Sequence, residues 1–132
     1  MAHRRIHSGA PWEAVVGYCR AVAATGTSVS VAGTTAVDDD GELVGIGDAY
    51  AQAARCLSII ERALNDAGAG LGDIVRTRMY VTDIEDWEAV ARAHSETFGD
   101  APPATTMVEV SRLMDPRMLV EIEADAVIAA GE

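Results

Sequence analysis

Pro102-Pro103-Ala104-Thr105-Thr106-Met107-Val108-Glu109-Val110 and, further on, Val120-Glu121-Ile122-Glu123-Ala124-Asp125-Ala126-Val127 decide the fold. The second run alternates apolar and acidic side chains with a period of two, and both are rich in β-branched residues. That is the pattern of half-buried strands. Asp115-Pro116 between them reads as a turn, so the two segments are expected as strands joined by that turn.

Working outward, Thr82 with Glu85 three residues on forms a capping-box signature for a helix. Its apolar stripe is Trp87, Val90, Ala91, His94 and Phe98, and Gly99 through Pro103 ends it. Before it, Asp73–Val81 alternates as a strand, with Val75, Thr77, Met79 and Val81 on one face and Ile74, Arg76, Arg78 and Tyr80 on the other. Asp48 caps an earlier helix running to about Asn65, with Tyr50, Ala53, Ala54, Leu57, Ile60 and Leu64 at helical spacing and Gly68-Ala69-Gly70 as its stop. Asp38-Asp39-Asp40-Gly41 is a solvated turn; it lacks the alternate spacing and distal glutamate of an EF-hand calcium loop. Tyr18–Ala24 and Ser28–Thr35 flank Thr25-Gly26-Thr27 as a hairpin signal. Residues Met1–Trp12 form a lead-in with a short strand near Arg4–Ser8.

The resulting order is β-β-β-α-β-α-β-β. It predicts one α+β domain over residues 1–132, with two helices on one face of a sheet of about six strands. The other face would hold Arg76, Arg78, Glu121, Glu123 and Asp125. A sheet covered on one side alone is expected to find a partner, so a homo-oligomer follows.

Composition narrows the function. A net charge of −11 leaves little basic surface for a phosphate backbone, which argues against nucleic acid. All ten basic residues are arginine, so lysine Schiff bases and lysine-tethered pyridoxal phosphate are excluded. Cys19 and Cys56 lack CxxC spacing and read as buried small hydrophobes. No apolar run reaches the ~20 residues of a membrane span, and no apolar segment follows the basic N-terminus as in a secretory signal. A cytoplasmic protein without membrane contact is expected, with neither cofactor nor metal.

Gly17-Tyr18, Val31-Ala32-Gly33-Thr34, Ala67-Gly68-Ala69, Asp73-Ile74-Val75-Arg76-Thr77, Tyr80-Val81-Thr82-Asp83, Pro103-Ala104-Thr105, Val108-Glu109-Val110 and Val120-Glu121-Ile122-Glu123-Ala124 together resemble the Rid/YjgF family, also called the endoribonuclease L-PSP family. The resemblance runs from about Tyr18 to Val127. It implies a chorismate-mutase-like subunit with a mostly antiparallel, six-stranded sheet. It also implies a homotrimer whose sheets form a central barrel, with small-molecule clefts between subunits. In the family's deaminases water attacks a 2-imino acid, giving a 2-keto acid and ammonia. An arginine after Pro-Ala forks onto the substrate carboxylate, and a glutamate of the last strand orients the water.

Carried over residue by residue, the resemblance assigns the catalytic glutamate to Glu121. Tyr18, Ala32, Gly33, Thr105 and Met107 become the substrate-binding candidates. Ala32 stands where serine is common, and Ala91 where asparagine is frequent. Thr105 stands where the arginine is expected. A hydroxyl donates one neutral hydrogen bond and cannot neutralise a carboxylate, so the usual clamp is missing. Arg78 is a candidate replacement; its alternative is a charge ladder of Arg76 and Arg78 with Glu121, Glu123 and Asp125 on neighbouring strands. Two functions stay open: an imine or enamine hydrolase of atypical substrate, and a non-catalytic small-molecule binder using the same cleft. His94, Trp12 and Trp87 read as packing residues.

Overall fold

The computed structural model describes residues 3–131; Met1 and Ala2 of the expected lead-in, and Glu132, lie outside the described residues. The elements are β1 (Arg4–Ile6), α1 (Pro11–Val16), β2 (Ala21–Ala23), β3 (Gly26–Thr34), α2 (Ala49–Asp66), β4 (Ile74–Val81), α3 (Trp87–Phe98), β5 (Ala104–Glu109) and β6 (Val120–Ala129). Short 3-10 turns precede β4 and α3. The architecture is α+β, with a mixed four-stranded sheet ordered β3-β6-β4-β5 and a separate two-stranded pair, β1-β2.

The six expected strands therefore do not form one sheet. Just before β2, Cys19 forms an isolated bridge to Ala104 of the main sheet, its amide N donating to Pro103 O at 2.9 Å, and Arg5 Nε of β1 donates to Pro102 O at 2.9 Å. Pro102 and Pro103 carry no N–H, so a ladder along this edge cannot run past Ala104. The hairpin expected at Thr25-Gly26-Thr27 is also absent. β2 pairs with β1, and Gly26 opens the β3·β6 ladder opposite Ala129. A Cβ on Gly26 would lie 1.8 Å from Ile128 O, so only glycine admits β6 this close.

β5 and β6 are not adjacent either. β4 lies between them, parallel to β5 and antiparallel to β6. The connecting loop crosses the end of β4, with Val110 N donating to Val81 O and Thr82 N to Leu119 O. Its turn falls at Asp115, whose carboxylate accepts from Arg117 N, Nε and Nη2. Buried Gln52 pins the loop: its amide donates to Gly45 O and Arg117 O and accepts from Leu119 N. Burying that amide is favourable because all three bonds are made.

α2 begins at Asp48, whose carboxylate accepts from Ala51 N at 3.0 Å. It ends with Gly68 at φ +83°, Gly68 N donating to Asn65 O and Ala69 N to Leu64 O, the paired bonds of a Schellman stop. Its buried stripe runs through Gln52, Ala53, Cys56, Leu57, Ile60 and Leu64; Ala54 is exposed. α3 starts later than the capping box suggests. Thr82 is still held to the sheet, and Asp83 instead caps the 3-10 turn by accepting from Glu85 N.

α2 and α3 cover one face of the sheet. Ile60, Leu64, Ile74, Met79, Phe98 and Ile122 are all at most 1% exposed beneath them. Each such side chain contributes on the order of 1.5–3 kcal/mol by leaving water. Strict alternation along β4 puts Ile74 on the other face. A register shift between Ile74 and Arg76 turns it inward, a bulge that leaves no trace in strict alternation. Cys19 and Cys56 are buried free thiols, and burial raises both pKa values, Cys56 to about 12.

Candidate functional site

Two groups of side chains stand out, one on each face of the four-stranded sheet. The first surrounds a cavity of about 470 Å³ lined by Trp12, Val16, Tyr18, Trp87, Thr105 and Met107. That volume suits a small organic ligand. α1 builds its outer wall. Pro11 opens the helix at a position where no N–H is needed, and Gly17 closes it at φ +80°. A Cβ on Gly17 would lie 2.5 Å from Ser95 Cα, so glycine lets α1 lie close on α3. Trp12 then meets Trp87 edge to face, with centroids 5.8 Å apart and planes at 81°. Trp12 stays 57% exposed, a large aromatic left at the mouth. Thr105 and Met107 form the floor because alternate residues of β5 share a face.

Behind the floor runs a chain of neutral hydrogen bonds. His94 on α3 is fully buried, with Nδ1 2.7 Å from Val16 O and Nε2 2.9 Å from Thr77 Oγ1. Thr77 Oγ1 is in turn 2.8 Å from Thr105 Oγ1, its rung partner across β4·β5. Burial without a charged partner pushes the His94 pKa down to about 4, so the ring is neutral near pH 7.

The second group lies on the opposite face. β3 has a register shift between Val31 and Thr34, which places Ala32 and Gly33 in a bulge. Glu121 of β6 lies against Gly33: a Cβ there would stand 2.2 Å from Glu121 Oε2. Gly33 is needed for that approach alone, since its φ is not in the left-handed region. Glu121 has no hydrogen bond or ion pair among the described residues, whereas its neighbours are engaged. Arg78 Nη1 is 3.1 Å from Asp125 Oδ2 and 4.0 Å from Glu123 Oε1, and Tyr80 donates its phenol proton to Glu123. The charge ladder thus joins Arg78 to Glu123 and Asp125 and leaves Glu121 outside it.

Of the residues singled out in the sequence, Tyr18, Thr105 and Met107 come together at the cavity. Ala32, Gly33 and Glu121 come together at the bulge. One chain does not join the two groups, because Thr105 shares the helix-side face with Thr77 while Glu121 pairs with Tyr80 on the other. Arg78 also faces away from Thr105 and is held by two carboxylates. Trp12 and Trp87, which the sequence presents as packing residues, enter as cavity walls, and so does Val16, which no sequence signal singles out. Pro11 before Trp12, a helix-start signal, is the mark that could have found α1. Among the described residues no three of His, Cys, Asp and Glu gather as metal ligands, and no helix is long and apolar enough to cross a membrane.

Comparison with known proteins agrees with this geometry. The family model described as endoribonuclease L-PSP matches residues 8–128. A crystal structure from Mycobacterium tuberculosis, described as a member of the YjgF/YER057c/UK114 family, is 47% identical, with a TM-score of 0.69, covering 96% of this chain and 100% of that one. A Rid-family protein of unknown function from Yersinia pestis is 32% identical, with a TM-score of 0.86, covering 97% and 100%. The 3-aminoacrylate deaminase RutC of Acinetobacter baylyi is 33% identical over 98 residues, 74% of this chain and 77% of the relative. With the matched span reaching from α1 to the end of β6, the chain belongs to the endoribonuclease L-PSP family, the Rid/YjgF proteins.

Proposed function

We propose that this protein is a Rid-type hydrolase that converts an imine or enamine and water into a carbonyl compound and ammonia. Its cleft is shared between copies of a homotrimer. Glu121 of one copy orients the attacking water, with Ala32 and Gly33 beside it. The cavity of Tyr18, Thr105 and Met107 on a neighbouring copy holds the organic part. The carrying observation is the Glu121 carboxylate laid against Gly33 and unpaired among the described residues. A carboxylate kept out of the adjacent ion pairs is available to accept a proton from water. The deaminase named among the relatives supports the reaction class. Arg78, tied to Asp125 and Glu123, is the least supported binding residue.

A second reading is a non-catalytic binder using the same cavity. Thr105 favours it, since the usual carboxylate anchor is absent. The charge of −11 speaks against RNA as the substrate, and a cytoplasmic location without membrane contact fits either reading.

An ammonia-release assay with imines generated in situ by an amino-acid oxidase separates the two. The expected result is turnover above background in the wild type and none in Glu121→Ala. Turnover appearing in Thr105→Arg alone would say that the scaffold is intact but serves another task. No turnover in any of the three supports the binder. Light scattering should give a trimer; a clean monomer sinks the shared cleft.

A further inference from the structure

The hydrogen-bond chain behind Thr105 has a direction. Val16 O can only accept, so at 2.7 Å His94 Nδ1 must carry the ring proton. The ring is neutral, so Nε2 bears a lone pair and Thr77 donates its hydroxyl proton to it. Thr77 has no second proton. The 2.8 Å contact to Thr105 therefore requires Thr105 to donate to Thr77. The alternative acceptor, Pro103 O, is 3.4 Å from Thr105 Oγ1 and already takes Cys19 N–H at 2.9 Å. Using it would leave two hydroxyl oxygens facing each other without a proton. What the Thr105 hydroxyl offers a ligand is thus a lone pair, not a proton.

We infer that the cavity takes an uncharged aromatic or apolar molecule that presents an N–H or O–H donor to Thr105, and that it disfavours a carboxylate at this point. A carboxylate here would meet an oxygen lone pair beside two tryptophans, with the Tyr18 phenol as the only other side-chain hydroxyl among the described lining residues. An amine, or the N–H of an imine, meets the acceptor it needs. The inference rests on the proposed use of this cavity and specifies its substrate: an imine or enamine nitrogen held at Thr105, with apolar carbon against Trp12, Trp87 and Met107.

The test is an NMR titration of the full-length protein at pH 7 with aniline, toluene and benzoate, repeated on Thr105→Val. Loss of the hydroxyl should weaken aniline about fivefold, the worth of one neutral hydrogen bond. Toluene and benzoate should be unchanged or bind better. Because the variant also disturbs Thr77, the imidazole nitrogens of wild-type His94 are read by 1H–15N correlation, with the proton expected on Nδ1. Aniline affinity unchanged in Thr105→Val overturns the inference. So does benzoate weakened as much as aniline, a proton on Nε2, or no saturable binding by any probe. Ammonia release from the same preparations keeps the two claims apart. Donor preference without turnover sinks the hydrolase alone; turnover with carboxylate preference sinks this inference alone.

Discussion

Thr77 and Arg78 are neighbours on β4, yet they live under different physics. Thr77 faces the helices, where it is fully buried and joined to His94 and Thr105 by short neutral bonds. Arg78 faces the helix-free side, 40% exposed, with Asp125 and Glu123 exposed to 40% and 33%. Where water is excluded, a neutral hydrogen bond has a fixed direction and a missing partner is costly. Where water is present, full charges meet with little net gain. The proposed cleft would then draw one ingredient from each regime: a buried, directional chain of hydroxyls behind the cavity and a solvated, available carboxylate.

That contrast can be broken by experiment, and the largest expected effect concerns pH. The folded His94 pKa, about 4, lies below the ordinary value of 6.5. The unfolded chain therefore takes up a proton first as pH falls. Stability from the neutral ring is complete above pH 6.5 and declines as pH drops toward 4, then levels off. The expected loss is about 3 kcal/mol, read as the difference in urea-unfolding free energy between the wild type and His94→Leu across that window. Equal slopes in the two proteins would show that the face is not dry.

Thr77→Val should cost about 1–3 kcal/mol at pH 7, because it strands the His94 Nε2 lone pair and the Thr105 proton together. Denaturant midpoints check this. A neutral outcome would mean that water reaches the relay.

Arg78→Ala, one residue along, should cost no more than about 1 kcal/mol, and less still in high salt. A loss several times larger would be equally instructive, since it would mean that another copy covers the ladder and dries it. The smallest stability effect is expected from Gly33→Ala, within about 0.5 kcal/mol. Its new Cβ collides only with the mobile end of Glu121. Ammonia release should nonetheless fall as far as in Glu121→Ala; unaltered turnover would separate Gly33 from the chemistry.

The elements legible in the sequence are those whose signals are local. Asp48 and Gly68 bracket α2, alternation marks β4 and β6, and the stripe through Val90, His94 and Phe98 marks α3. What escaped was non-local. Insertion of β4 between β5 and β6 is a pairing choice that no turn residue announces, and the bulges at Val75 and at Ala32-Gly33 exist only relative to a partner strand. The site follows the same division. Tyr18, Thr105 and Glu121 could be named by resemblance, but the sidedness that separates Thr105 from Glu121 depends on register. The helix stripe marks His94 as a packed residue, which it is, yet nothing in the sequence connects its ring to Thr105 through Thr77. α1 leaves no periodic pattern because six residues are too few for one, although Pro11 marks its start.

The placement of Glu121 and Thr105 on opposite faces has a consequence for mixtures of chains. If each cleft takes one face from each of two copies, a chain damaged at Glu121 and another damaged at Thr105 are complementary. Co-assembled, they would regenerate some intact clefts that neither forms alone, and the yield would follow the mixing ratio. A single defective chain in a wild-type ring would silence one cleft and leave its neighbours working. Damage would then spread through a population of assemblies by dilution, one interface at a time.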